Sequence, residues 1–272
     1  MNIGKKTRLA NLFHPVSGHS LIIPMDHGAT LGPVAGLVHP MQTITKLCAD
    51  LELVQGLVLH RGVMEHVVQS LSPYDTPSRI LHLSASTTVS PRSTEKALVA
   101  SVEDAIRMGA VAVSVHVNLG VQAEPEMVRD FGLVASRCRE WGMPLLAMMY
   151  TRVDGVVSQA THHICSAARL AAEMGADLVK VVYPGSAEAM REVVEGCFIP
   201  VLIAGGEKAS NAEALSMVEQ AMKGGAAGVC MGRNLFQQAN MAGFIAQIGQ
   251  AVHGISHVEA LANQDAQHSA AA

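Results

Sequence analysis

Eight short aliphatic runs, each followed by a longer segment of helical period, constrain this chain more than any other feature. The runs are Ser20 to Asp26, Leu53 to His60, Arg79 to Ser84, Ala110 to Asn118, Pro144 to Tyr150, Asp177 to Tyr183, Pro200 to Gly206 and Ala227 to Gly232. Most are nearly continuous in Val, Ile and Leu, the pattern of parallel strands covered on both faces. The segments between them carry helix signals. SVEDAIRMG has acids in its first turn, and HHICSAARLAAEMG ends at Gly175 as a helix with a glycine terminator does. RMGAVAV, EMGADLV, GCFIPVL and KGGAAGV each place small residues just before a run, as a short loop leaving a helix would. Eight such units in 272 residues predict an α/β fold, a closed (β/α)8 barrel. The alternative is an open doubly wound sheet, but no GxGxxG follows the first run.

The expected organisation is an N-terminal extension over residues 1–19 that caps the barrel bottom, a barrel over 20–258, and a small, polar, disordered tail over 259–272. No linker rich in Pro, Gly or Ser divides the chain. Composition narrows the class of partner. A formal net charge of −4 with no basic block, and aromatics at only 3%, argue against nucleic acid and for a small-molecule ligand. Five dispersed cysteines without a CxxC pair fit neither a disulfide framework nor a zinc knuckle, so a reducing cytoplasm is expected. The basic N-terminus lacks a following apolar core and cleavage site, and no run is long enough to span a bilayer, so neither export nor membrane insertion is expected.

In a barrel of this kind chemistry collects at the C-terminal ends of the strands. Lys180 stands out because it interrupts Leu178-Val179-Lys180-Val181-Val182, where both strand faces are dry. Desolvation there is expected to lower its pKa and free the amine to attack a carbonyl; the alternatives are a structural ion pair or a strand-end lysine reaching solvent. Tyr150 closes the neighbouring run and can exchange a proton with an enamine carbon, or simply cap the barrel layer. Asp26, in Pro24-Met25-Asp26-His27-Gly28, can move protons on substrate hydroxyls, or serve as a helix cap or a partner of His27. Ser84 and His116 also fall at strand ends. The histidines lack HExxH or regular i, i+4 pairing, so no metal is expected. Gly205-Gly206 and Gly232-Arg233 close the last two runs, where glycine loops and a helix N-terminus hold phosphate in many barrels.

PMDHG at 24–28, HLS at 82–84, EDAIRMGA at 103–110 and SVHVN at 114–118 resemble the archaeal-type class I aldolase family. So do WGMPLLAMMY at 141–150, GADLVK at 175–180, AGG at 204–206 and GAAGVCMGRNLFQ at 225–237. The resemblance runs from about Gly4 to Val258 and, within the family, points to the 2-amino-3,7-dideoxy-D-threo-hept-6-ulosonate synthase branch. It implies a Schiff-base lysine at Lys180, a proton-transferring Tyr150, an acid/base Asp26 supported by His27, and phosphate held by Gly205, Gly206, Gly232 and Arg233. It also implies a homo-oligomer, commonly a decamer, and no cofactor. The implied reaction joins an enamine derived from a ketose phosphate to an aldehyde, aspartate semialdehyde first. Fructose-1,6-bisphosphate cleavage and coenzyme A-dependent thiolysis of a phosphorylated pentanedione are the alternatives. Where relatives read MMYPRG this chain reads Met148-Met149-Tyr150-Thr151-Arg152-Val153, it has Val181 where a Thr is usual, and Ala85-Ser86-Thr87 replaces a double glycine.

Overall fold

The computed structural model describes residues 3–48 and 51–254. All eight runs form parallel strands: β1 (Ser20–Pro24), β2 (Gly56–Leu59), β3 (Ser78–His82), β4 (Ala112–Leu119), β5 (Leu145–Val153), β6 (Leu178–Val181), β7 (Val201–Ala204) and β8 (Gly228–Cys230). Their order is β4-β3-β2-β1-β8-β7-β6-β5, and pairing between β4 and β5 closes the sheet into a barrel with helices between the strands. The tail expected over 259–272 lies outside the described residues.

Strand alternation divides the apolar residues into two separate cores. One residue from each strand, Ile22, Val58, Ile80, Ala112, Leu146, Leu178, Leu202 and Cys230, packs in the barrel lumen. Their neighbours, such as Leu21, Ile23, Leu57, Val113, Val179, Ile203 and Val229, pack outward beneath the helices. Aliphatic side chains of this size fill the narrow lumen without aromatic bulk.

The N-terminal segment meets the opposite end of the barrel from the strand tips. Helix Ile3–Ala10 leads to Leu12, which is fully buried against the lumen core, with Leu9 and Phe13 beside it. Lys5 pairs with Asp177 at 2.8 Å, Arg8 donates to the Gly142 carbonyl at 2.9 Å, and the Ser78 hydroxyl donates to the Asn11 carbonyl at 3.0 Å. Asp177 also accepts from the Leu145 N–H at 2.9 Å, so one carboxylate fastens the extension to the start of β5.

Strand β5 runs three residues beyond Tyr150 and turns back through Asp154 (φ 51°) and Gly155 (φ 80°) to pair Val153 with Val156 and Arg152 with Val157. Two consecutive positive φ values at Asp-Gly are the signature of a tight hairpin turn that matches strand twist. This hairpin occupies the place where the chain departs from its relatives after Tyr150.

Candidate active site

The strand ends surround a cavity of about 800 Å³ lined by His27, His116, Tyr150, Lys180, Gly205, Gly206, Gly232 and Arg233, among others. Lys180 is buried in the lumen, 6% exposed, in register with Met148 of β5 on one side and Leu202 of β7 on the other. Tyr150 lies two residues beyond Met148 and so shares the lumen face with Lys180. The Tyr150 ring stacks on His116 with centroids 4.7 Å apart.

The charge state of Lys180 differs from the sequence expectation. Burial does press the ammonium toward neutrality. The Cys230 thiol, the Tyr150 phenol and the Asp26 carboxylate outweigh it and hold the amine above its ordinary range. Desolvation alone was the wrong guide because three acidic groups, Cys230, Tyr150 and Asp26, surround Lys180 above an apolar lumen. Cys230 itself is pushed up to about 11 by burial, so it faces Lys180 as a thiol at neutral pH.

Asp26 shows the complementary case. Burial would raise its pKa, but His82, His27, Lys180 and His60 hold the carboxyl far below the usual carboxylate range. His82 Nε2 lies 3.7 Å from one Asp26 oxygen and His27 Nδ1 lies 3.8 Å from the other. Neither distance is a hydrogen bond, and Asp26 Oδ1 and His27 Nδ1 are both buried without a bonded partner in the described structure. The carboxylate therefore retains acceptor capacity.

His82 did not stand out in the sequence, since HLS reads as the end of an apolar strand. It is 3% exposed, its Nδ1 is 2.8 Å from Ser114 Oγ, and burial lowers its pKa to about 4. The ring is thus neutral at physiological pH. Ser84, expected at the site, lies outside the cavity lining. Its hydroxyl accepts from the His116 backbone N–H at 2.9 Å and lies 3.4 Å from His82 Nε2, so it ties the His82 ring to the backbone of β4 instead.

The loops after β7 and β8 are knitted by Asn234, another residue without a sequence signal. Its side-chain amide donates to the Gly205 carbonyl at 2.7 Å and the Glu207 carbonyl at 2.9 Å, while its oxygen accepts from Ala209 N–H at 2.8 Å. Arg233 donates to the Gly206 carbonyl at 3.0 Å and keeps a buried Nε without a partner in the described structure. Gly206 has φ +68° and open space where a Cβ would stand, whereas a Cβ at Gly205 would lie 2.6 Å from that of Met231. Gly205 is therefore required for packing, and Gly206 for the turn that leaves its backbone accessible.

Lys96, which carries no signal in the sequence, also belongs to this end of the barrel. It sits on the segment between β3 and β4, half-buried, and donates to Ser86 Oγ at 2.6 Å and Thr30 Oγ1 at 3.4 Å. Among the described residues, no set of three or more His, Cys, Asp or Glu side chains converges closely enough to hold a metal. No helix among them is long and apolar enough to cross a membrane.

Residues 20–238 match the model of the DeoC/LacD family of aldolases. The chain is 40% identical over 253 residues to a 2-amino-4,5-dihydroxy-6-oxo-7-(phosphonooxy)heptanoate synthase of Streptomyces griseus, covering 92% of this chain and 90% of that one. It is 40% identical over 261 residues to a 2-amino-3,7-dideoxy-D-threo-hept-6-ulosonate synthase of Archaeoglobus fulgidus, covering 94% of each. Among solved structures it superposes on an archaeal fructose-1,6-bisphosphate aldolase whose catalytic lysine carries the carbinolamine intermediate of its substrate. The TM-score there is 0.81 at 27% identity, over 92% of this chain and all of that one.

Proposed function

The chain belongs to the DeoC/LacD aldolase family and is a Schiff-base aldolase or transaldolase; from that premise we propose that Lys180 is its nucleophile and aspartate semialdehyde its acceptor. The observation that carries the first half is the buried Lys180 amine, at the strand ends, facing Tyr150 and Asp26. The second half is supported by the chemistry of the Streptomyces product. A retro-aldol cut between its C4 and C5 gives dihydroxyacetone phosphate and aspartate semialdehyde.

The reaction begins when the Lys180 ammonium gives up a proton and the free amine adds to the donor ketone. The nitrogen proton passes to the new alkoxide, and water leaves from the carbinolamine to give an iminium. Asp26, held ionised, faces a cation at this nitrogen throughout, first the ammonium and then the iminium. When a ketose phosphate is the donor, Asp26 takes the proton of its C4 hydroxyl, the C3–C4 bond breaks, and the electron pair moves to the iminium nitrogen to form an enamine. With dihydroxyacetone phosphate, Tyr150 passes its phenolic proton to Asp26 as its oxygen takes the C–H proton of the iminium, giving the same enamine and leaving Asp26 loaded to protonate the product alkoxide. The enamine carbon attacks the acceptor aldehyde, whose oxygen takes a proton, and hydrolysis returns the amine of Lys180. The iminium is the electron sink for both carbon–carbon steps.

Gly205, Gly206, Gly232 and Arg233 bind the donor phosphate in this reading. Arg233 already bridges the two loops, and its unpaired Nε is available for a charge-assisted bond. His27 and His82 position Asp26, and His116 positions Tyr150 through their stacked rings. Ser84 acts on substrate only through the His82 ring and the His116 backbone it holds. A homo-oligomer in a reducing cytoplasm completes the reading, supported by five unpaired cysteines. Sedimentation of the purified chain measures the assembly.

Borohydride reduction in the presence of dihydroxyacetone phosphate should inactivate the enzyme and leave the donor's mass on the peptide containing Lys180. No adduct, with turnover abolished by a chelator, would sink the reading. Aspartate semialdehyde and glyceraldehyde 3-phosphate offered side by side, with product mass as the readout, decide the acceptor. Consumption of coenzyme A would favour thiolysis instead.

A further inference from the structure

Two cations stand on the side away from the phosphate loops: Arg152 lines the active-site cavity, and Lys96 lines the cavity that adjoins it. Arg152, on the hairpin of β5, donates from Nε to Asn118 Oδ1 at 2.9 Å and from Nη1 to the Gly155 carbonyl at 3.1 Å. Asn118 is fully buried, and its amide nitrogen donates to the Thr94 carbonyl at 2.6 Å, two residues before Lys96. The same amide oxygen lies 3.2 Å from Nε2 of His116, the ring stacked on Tyr150. One buried amide thus ties the strand carrying Arg152, the segment carrying Lys96 and the ring that touches Tyr150.

No carboxylate among the described residues lies within 4 Å of Lys96 or Arg152, although surface arginines such as Arg61, Arg92 and Arg137 all have one. Both are half-buried; burial presses the Lys96 ammonium down, Asp26 at longer range supports its charge, and Arg152 opposes it, while burial lowers Arg152 as well. Glu126 lines the adjoining cavity with Lys96 but is not paired with it. Two partly desolvated cations without a directly bonded carboxylate keep donors free for an anion that joins them.

Strand order fixes what that anion is attached to. The phosphate loops follow β7 and β8, Lys180 rises from β6, and Asn118, Arg152 and Lys96 belong to the ends of β4, β5 and the segment after β3. Positions β3 to β4 and β7 to β8 stand across the barrel from one another. A substrate held by its phosphate at one side, with its ketone carbon on Lys180, extends its other end toward Lys96 and Arg152.

We propose that Lys96 and Arg152 form an anion subsite that recognises the carboxylate of an amino-acid semialdehyde and so selects the acceptor of the aldol step. The inference rests on the Schiff-base reading above for its chemistry, and on this pair alone for its specificity. It also gives a role to the hairpin after Tyr150, whose Gly155 carbonyl fixes Arg152.

The test compares wild type, Lys96→Met, Arg152→Met, the conservative Lys96→Arg, and Arg233→Met. With dihydroxyacetone phosphate as donor, kcat/KM is measured for aspartate semialdehyde and for butanal, a neutral aldehyde of equal carbon count. Lys96→Met and Arg152→Met should each lower the semialdehyde-to-butanal ratio by about ten-fold, chiefly through KM, and Lys96→Arg should recover most of it. Arg233→Met should raise KM for the donor and leave that ratio near its wild-type value. A ratio untouched by the Lys96 and Arg152 changes would overturn the subsite.

Borohydride trapping of the donor on wild type reads the Schiff-base chemistry separately. Should that fail, calorimetry with L-aspartate still decides the subsite: binding weakened by Lys96→Met but not by Arg233→Met supports it. Absence of binding to wild type, or equal binding to all variants, refutes it.

Discussion

Lys180 and Asp26 set each other's charge, and the consequences are measurable residue by residue. Lys180→Met should abolish turnover and borohydride trapping together while leaving the fold intact, because Met fills a similar space in an apolar lumen. His82→Asn tests the positioning of Asp26. The imidazole helps to hold that carboxyl low, so its loss should move the acid limb of the kcat/KM profile to higher pH. A fall in rate with an unmoved limb would make His82 a packing residue only. Lys180 was legible in the sequence because an ammonium inside a dry strand needs an explanation. His82 was not, because its relation to Asp26 exists only across the barrel, from β3 to the end of β1.

The hairpin that ends β5 shows how an element shapes the site. Asp154-Gly155 between Val153 and Val156 is a turn signal that the local sequence contains. Gly155 sits at φ 80° with open space around its α-carbon, so a methyl group would clash with nothing and would strain the backbone alone. Gly155→Ala should therefore cost about 1 kcal/mol of stability. It should raise KM for the acceptor more than for the donor, since Arg152 leans on the Gly155 carbonyl. Steady-state kinetics beside a melting curve separates the two effects. Equal changes in both KM values would show that the hairpin does not address one substrate end.

Across the whole molecule, buried histidines held below their ordinary range govern acid stability, and His116 is lowered well below it by burial. His82 and His253 are both lowered from 6.5 to about 4, chiefly by burial. Each is neutral when folded and takes a proton when unfolded, so folding is disfavoured progressively as pH falls from about 6.5 to 4. The effect reaches at most about 3 kcal/mol per group. Asp26 is shifted in the same downward direction and adds to the same loss: its stabilisation is present above the unfolded carboxylate value of 3.8 and disappears as pH falls below it. His253 lies far from the site, with Nε2 3.0 Å from the Leu53 carbonyl and Nδ1 2.9 Å from Ser17 Oγ. His253→Gln should flatten the fall in melting temperature between pH 6.5 and 4 without touching the acid limb of activity. In the lumen, Leu202→Ala should cost about 2–5 kcal/mol, read by denaturant unfolding, because eight strands leave little freedom to collapse around the gap.

The barrel itself was determined by the sequence. Continuous aliphatic runs can only be buried on both faces, and eight of them separated by helices close most readily on themselves. The strand-end residues Asp26, Tyr150, Lys180 and Arg233 were visible for the same reason, since local pattern fixes where a strand stops. What the tertiary structure decided is which groups meet once the barrel closes. Lys180 keeps its proton because Asp26, Tyr150 and Cys230 arrive from three other strands. Asn118 and Asn234 matter because buried amides must satisfy backbone groups that are distant in sequence. Lys96 became a candidate ligand only when the segment after β3 was seen to lie against the barrel mouth. Period and composition are local properties and are written in the chain. Charge state and subsite depend on Coulomb interactions across the lumen, which no stretch of sequence contains.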